Sequence, residues 1–453
     1  MQALDREDEG TRSRGRGRPR GSETASGSVI EILNLVRTGQ ATTRQEIERV
    51  GEFGRAIVAD RLALLTELGL VDESELGAAT GGRAPRLVRF AADRGRVLVA
   101  TLDQTALGVG IADLSGRLLM EHHEPVDLTE PAAAILDRVT SLFDWILSRQ
   151  SGPGAAPWAV SLSVPAPVAE AGGTFLTETP PILPGWEGTF FVETLVRRYG
   201  APVWMRSSVE TMTMGELHGG AGIGCTAMLF VKVGKRIGAG LVCDGRLWRG
   251  AMGAAGLIGQ LPVQTGERTG TLDALAGSEM IAREGQAAAE EGRSTLLADL
   301  HRRHGALSAA EVSQAAQMGD RTAMEILSQS GRLIGHVVAT LANALNPEII
   351  VLSGSVAQSN DILLAAVREA VYGASHPLVT RDLRIVRSQM SSSAGLVGAA
   401  MVAVEGLFAP PMLKDWVLQG RPMAHPGFAA LRDRLEDPPP APAKPAAPRN
   451  DRT

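Results

Sequence analysis

The spacing of apolar residues changes near residue 90. Before it, apolar positions recur every three or four residues. Val29, Ile32, Leu33 and Val36 share one face of a stretch stopped by Gly39, which predicts an amphipathic helix. In "TTRQEIERVG" a second short helix is expected, with Thr42 or Thr43 as its N-cap and Glu46 placed to complete a capping box. After the break "GEFG", Val58, Leu62 and Leu65 predict a third helix from about Arg55 to Leu68, ended by Gly69. "LVDE" and the glycine-rich "GAATGGRAPRLVRF" then read as a β-hairpin. Helix, helix, turn, helix, wing is the order of a winged helix-turn-helix, expected over residues 28–91.

Beyond it, residues 96–405 alternate short apolar runs with helical periodicity, an α/β pattern. One internal echo organises them. "VLVATLDQTALGVGIADLSGRLL" (97–119) and "AMLFVKVGKRIGAGLVCDGRLW" (227–248) share a plan: two apolar strands, an Asp, then Gly-Arg-Leu starting a third strand. Asp113 and Asp244 take equivalent places. Two such meanders, each followed by α/β material, predict a duplicated fold with a cleft between its lobes. The expected organisation is a disordered Arg-rich arm over 1–27, the winged helix over 28–91, a two-lobed domain over 92–408 split near 205, and a Pro/Ala-rich tail over 409–453, extended or disordered.

Composition narrows the functional classes. Of 453 residues, 44% are hydrophobic but only 4% aromatic, so Ala, Val, Leu and Ile must build the cores. The net charge of −5 excludes a general basic coat for nucleic acid, though not a local basic element. Cys225 and Cys243 are the two cysteines and neither has a CxxC partner, which argues against a disulfide framework or a thiolate zinc site. No apolar run is long enough to cross a bilayer and no secretory signal is recognised, so the expected location is the cytoplasm, without a membrane partner.

"KRIGAGLVCDGRLWRGAMGAAGLIGQ" (235–260) has the glycine rhythm of a phosphate-holding loop, yet Lys235 and Arg236 stand where such a loop needs its smallest residues. Read with "TELGLVDE", "GGRAPRL", "VSLSVPAPV", "LPGW", "LNPEIIVLSGSVAQS" and "AGLVGAAMVAV", in that order, this stretch resembles the ROK family of repressors and sugar kinases, in its repressor form. The resemblance covers roughly residues 28–405. It implies the fold class: an N-terminal winged helix-turn-helix followed by a duplicated actin-like (ribonuclease H-like) two-lobe ATPase fold. It also lets the kinase machinery be checked by position. The first phosphate loop of the family opens with Asp, a Gly pair and Thr; here Thr101, Asp103, Gln104 and Thr105 stand there. The second reads Gly-Thr-Gly-Ile-Gly; here it is Gly234, Lys235, Arg236, Ile237, Gly238. The family's Asn-Asp, whose Asp is the catalytic base, aligns with Ser207 and Ser208, and a serine hydroxyl has no useful basicity near neutral pH. The sugar-binding Glu and the sugar- and zinc-binding His become Leu257 and Gln260, and the cysteines that follow are absent. The expectation is a domain with no catalytic residue, cofactor or metal, in which the glycines preserve the backbone path. Trp186, Ser207, Ser208 and Gln260 remain as candidates to line an inter-lobe pocket for a sugar-like or other small-molecule effector.

The expected partner is double-stranded operator DNA. Residues 28–90 carry eight Lys/Arg against nine Asp/Glu, so phosphate attraction falls to the arm, where "RGRPR" resembles an AT-hook core and Arg16 and Arg18 are minor-groove candidates. Arg55 and Arg61 on the third helix are candidates for base or phosphate contact, Arg44 for phosphate, and Arg83 for phosphate or minor groove. A homodimer or dimer of dimers follows from the family resemblance and helix-turn-helix symmetry. Two other readings stay open: an ATP-dependent sugar kinase using Glu210 or Asp103 as base, and a nucleoid or scaffold protein using the arm without sequence preference.

Overall fold

The computed structural model describes residues 23–77, 85–103, 106–150, 156–168, 186, 188–390 and 392–436. By internal contacts they form two units. One comprises 23–91 together with 413–420, the other 92–412 together with 421–436.

In the smaller unit, α1 (Glu23–Arg37) buries Val29, Ile32, Leu33 and Val36. It starts at Glu23, which corrects the expectation of disorder up to residue 27. Residues 23–27 hold no proline, and Gly27 lowers helix propensity by only about 1 kcal/mol, which the burial just after it offsets. α2 (Arg44–Val50) is capped by Thr43. The Thr43 hydroxyl accepts from the Glu46 N–H, and the Glu46 carboxylate accepts from the Thr43 N–H, the reciprocal capping box. α3 (Arg55–Glu67) buries Val58, Leu62 and Leu65. β1 (Val71–Asp72) pairs antiparallel with β2 (Arg89–Phe90), and a bridge between Leu76 and Arg86 continues the hairpin.

The larger unit holds two five-stranded sheets of the same design. In the first, β3 (Arg96–Leu102), β4 (Ala106–Ala112) and β5 (Leu118–Pro125) form an antiparallel meander. The helix α4 (Ala132–Leu147) leads to β6 (Pro157–Val164), and α5 (Gly188–Tyr199) to β7 (Val203–Ser207), both parallel additions. α6 (Ser208–Gly219) leaves β7 and starts the second half. There β8 (Met228–Val233), β9 (Ile237–Cys243) and β10 (Arg246–Trp248) repeat the meander. A small hairpin of β11 (Pro262–Thr265) and β12 (Arg268–Thr271) follows, then α7 (Leu272–Ala276), α8 (Ser278–Glu290), α9 (Thr295–His304), α10 (Ala309–Gln317) and the long α11 (Arg321–Leu345). β13 (Ile349–Ser353) joins β8 in parallel; α12 (Ser355–Ser359), α13 (Asp361–Ala374) and α14 (Pro377–Thr380) lead to β14 (Arg384–Arg387). The strand orders, β5-β4-β3-β6-β7 and β10-β9-β8-β13-β14, are the same path traced twice. The buried strands are Val-, Leu- and Ile-rich, as expected where helices cover a sheet.

α15 (Ser393–Phe408) packs on the first sheet, α6 on the second, and the two helices lie against each other. Their crossing is tight: a Cβ on Gly398 would sit 1.6 Å from the Thr211 carbonyl oxygen. Glycine is required there because two backbones touch.

After α15 the chain departs from expectation. α16 (Pro410–Trp416) and α17 (Pro426–Glu436) are helical, which corrects the reading of 409–453 as an extended tail. Leu413, Trp416, Val417, Phe428 and Leu431 are buried, the last two against Phe191 and Leu195 of α5. The proline-rich composition starts only at Pro438, and the regular apolar spacing before it is enough to fold. Among the described residues, no single helix is long and apolar enough to cross a membrane.

Candidate functional site

Arg16, Arg18 and Arg83 lie outside the described residues. The other three arginines predicted for DNA occupy different situations. Arg55 opens α3 and is exposed, together with Ala56 and Ile57. Gly54, the N-cap, offers no side chain to the first N–H groups, so this end of α3 presents free donors, an exposed cation and an apolar surface together. Arg44 is held in a bidentate pair with Glu73, Nε at 2.7 Å and Nη2 at 2.6 Å. The Glu73 hydrogen bond holds the Arg44 guanidinium above its ordinary pKa. In this structure the fork-shaped Arg44 donor is matched two-for-two to a carboxylate. Arg61 is likewise engaged. Half-buried, it donates from Nε to Ser28 Oγ (3.0 Å) and pairs with Asp60 at 2.5 Å, so it ties α3 to α1. Arg49, in the last turn of α2, is exposed and was not singled out by sequence; its place just ahead of the α2–α3 turn was the available signal.

The four residues predicted for an effector pocket fall in three places. Trp186 is 3% exposed and stacks on Phe191, ring centroids 5.4 Å apart, within the first lobe's core. It is a packing residue, because an indole with an aromatic neighbour gains more by burial than by lining a wet cleft. Ser207 is the N-cap of α6. Its hydroxyl donates to Glu210 Oε2 (2.9 Å) and accepts from the Glu210 N–H, a second capping box. Gln260 donates to Asp273 Oδ2 (3.0 Å) and shares a hollow of about 310 Å³ with Lys235, Arg236, Thr271 and Arg283, a lining that includes none of the other three. A single pocket lined by all four is therefore corrected.

Ser208 stays at a charged junction between lobes. Lys232 of β8 is 13% exposed; its Nζ lies 2.9 Å from Asp103 Oδ2 at the end of β3 and 3.4 Å from Ser208 Oγ. Beside it, the buried Glu210 carboxylate receives Arg249 Nε at 2.5 Å, and Arg249 Nη2 donates to the Val168 carbonyl at 3.1 Å. Both carboxylates that a kinase reading would use as base, Asp103 and Glu210, are thus ion-paired. The glycine-rich loop is similarly occupied. Lys235 pairs with Glu279 at 2.6 Å, Arg236 lies 3.6 Å from Asp273, and Asp273 Oδ1 accepts the Ile237 N–H at 2.6 Å. A Cβ on Gly256 would stand 1.8 Å from the Ala239 carbonyl oxygen, so this glycine is set by packing against β9. Among the described residues no group of three His, Cys, Asp or Glu side chains is placed to hold a metal ion.

A sequence model of the ROK family matches residues 102–405. The chain is 30% identical over 222 residues to a glucokinase of Halalkalibacterium halodurans, covering 47% of this chain and 67% of the relative. It is 22% identical over 393 residues to a putative xylose repressor of Caldicellulosiruptor sp. (strain Rt8B.4), covering 84% of this chain and 96% of the relative. The crystal structure of a ROK family transcriptional regulator, a homolog of the Escherichia coli MLC protein, aligns with a TM-score of 0.71 at 20% identity, over 88% of this chain and all of that one. The glucokinase sequence match covers 47% of this chain, whereas the repressor match covers 84%.

Proposed function

The chain belongs to the ROK family, and on that premise we propose that it is a DNA-binding transcriptional repressor whose kinase-like lobes no longer transfer phosphate. One observation carries the reading most. α1 to α3 and the β1–β2 hairpin form a unit whose exposed point is the first turn of α3, with Arg55, Ala56 and Ile57 outward. In this reading α3 enters the major groove, Arg55 contacts a base or phosphate, and the apolar side chains meet thymine methyl groups. Arg16, Arg18 and Arg83 supply phosphate or minor-groove contacts. The protein acts as a homodimer or dimer of dimers on a symmetric operator in the cytoplasm, and a sugar-like or other small molecule sets its occupancy.

The loss of catalysis rests on chemistry at the α6 N-terminus. Ser207 and Ser208 present hydroxyls where proton abstraction from an alcohol needs a carboxylate. The nearby carboxylates are already engaged by cations: Lys232 on Asp103 and Arg249 on Glu210.

Fluorescence anisotropy with the DNA upstream of its own gene tests the reading. Specific binding is expected, and Arg55→Ala is expected to weaken it by about 1–3 kcal/mol while blunting sequence preference. Equal affinity for random DNA at moderate salt, or sugar-dependent ATP turnover abolished by Asp103→Asn or Glu210→Gln, overturns it.

A further inference from the structure

Where the family resemblance calls for a zinc-binding histidine the chain has Gln260, and residues 261–276, "LPVQTGERTGTLDALA", contain neither histidine nor cysteine. The side chains around Gln260 do not suit a metal ion. Its carboxamide nitrogen donates to Asp273 and has no lone pair to offer. Lys235, Arg236 and Arg283 line the same hollow and crowd it with positive charge. The carboxylates there, Asp273 and Glu279, face Arg236 and Lys235. A structural metal needs a converging set of thiolate, neutral imidazole or free carboxylate ligands. Among the described residues no such set is present.

One carboxylate makes the connections instead. Asp273, in the first turn of α7, has a side chain only 12% exposed. Its Oδ1 accepts the Ile237 N–H and its Oδ2 accepts Gln260 Nε2, with Arg236 Nη1 3.6 Å away. Ile237 lies 36 residues before it in the chain and Gln260 lies 13 before it. Three stretches therefore meet at one side chain: the turn between β8 and β9, the 3-10 turn Ile258–Gln260, and α7. Gly259 leaves room for the carboxylate, since a Cβ there would stand 2.0 Å from Asp273 Oδ1 and 2.6 Å from the Ile237 carbonyl oxygen. Main-chain bonds run alongside. The Leu272 N–H donates to the Leu261 carbonyl at 2.9 Å, and the Ser278 N–H to the Gly234 carbonyl at 2.9 Å. Ile237, Ile258 and Leu272 are buried in one core beneath. An ionised carboxylate accepts from several donors at once, and each charge-assisted bond is roughly twice as strong as a neutral one. Strong directional bonds to segments far apart in sequence are also what a structural metal provides.

We propose that Asp273 does in this chain what a structural metal ion does elsewhere: it pins the β8–β9 turn, the 258–260 turn and α7 into one piece, and the second lobe stays folded without zinc. The proposal goes beyond the repressor reading and does not depend on it. The full-length wild-type chain is compared with Asp273→Ala, Asp273→Asn and Glu279→Gln. Glu279 lines the same hollow and pairs with Lys235, but it joins no third segment. Hydrogen exchange followed by mass spectrometry is read in buffer, with excess EDTA and with added zinc chloride, and zinc content is measured by elemental analysis. The wild type is expected to exchange identically in all three conditions and to hold far less than one zinc per chain. Asp273→Ala is expected to speed exchange over residues 235–239 and 258–276 by about 100-fold, with β3 and β4 of the first lobe unchanged and no recovery in zinc. Asp273→Asn keeps an acceptor for the Ile237 N–H but sets an NH2 group against Gln260, so about 10-fold faster exchange is expected there. That variant decides the matter should Asp273→Ala fail to fold. Glu279→Gln is expected to exchange like the wild type. One zinc per chain whose removal by EDTA speeds wild-type exchange overturns the proposal. So do wild-type rates in Asp273→Asn, an equal loss in Glu279→Gln, or a rise spread evenly over both lobes.

Discussion

The two sheets of the larger unit follow one path, but the same letters do different work in each. In the first meander, Asp113 is 5% exposed and serves as a hub: its carboxylate accepts from the Ser115 N–H and hydroxyl, the Arg117 N–H and Arg117 Nε. In the second, Asp244 sits with Gly245 in a two-residue turn between the paired Cys243 and Arg246, at φ +51° and +70°. There the aspartate's value lies in tolerating a left-handed backbone. The sides facing the cleft differ too: the first sheet contributes an anion, Asp103, and the second a cation, Lys232. Duplication of a backbone path thus preserves packing, while each copy's polar residues answer to local needs.

The largest test of that comparison addresses what keeps the two copies in register. Gly398→Val puts a branched side chain where the α6 backbone already lies, and should lower stability by roughly 3 kcal/mol or more through overpacking; calorimetry should show an early or absent transition for the larger unit. Next comes the buried pair. Glu210→Ala strips Arg249 of its carboxylate and α6 of its capping box, with an expected loss of about 3 kcal/mol in denaturant unfolding, and Glu210→Gln should recover part of it through the cap alone. The two aspartates give the sharpest contrast. Asp113→Gly should cost about 2 kcal/mol, since the Ser115 and Arg117 donors lose their buried acceptor, whereas Asp244→Gly should be neutral within about 0.5 kcal/mol because glycine suits the turn. Equal costs would sink the claim that the copies use this residue differently.

The smallest effect lies in the other unit. Hydrogen bonds from Thr42, first its N–H and then its hydroxyl, hold the Glu46 carboxyl below its ordinary pKa. A lowered folded-state pKa contributes stability that is present above the ordinary carboxyl value and is lost as pH falls through the folded one. Glu46→Gln should therefore leave α2 marginally weaker at neutral pH but less sensitive to acid below that range, measured as a shallower pH dependence of helix signal.

Much of this was legible in the sequence, for physical reasons. Apolar spacing located α3 and its buried Val58, Leu62 and Leu65, and the paired meanders announced the two sheets, because burial imposes periodicity directly. The capping box at Thr43 was legible because Thr-x-x-Glu is a local geometry. Ser207 and Glu210 have that same spacing, yet Ser207 was assigned to a pocket: its alignment with a catalytic Asn-Asp outweighed the local signal. Arg44 and Arg61 depend on partners distant in sequence, Glu73 and Ser28, which no pattern pairs, and Trp186 stacks on Phe191 across a break between elements that apolar spacing does not register. Residues 413–420 were hidden by the proline-rich composition that follows them.

One consequence of the unit boundaries concerns the order in which the protein is made. In the smaller unit α1 precedes both sheets along the chain, but the buried Trp416 is translated only after them. Synthesis and completion therefore run in opposite directions here: the unit begun first is finished last, and a chain arrested anywhere before residue 413 carries a reading head whose core is still missing a piece.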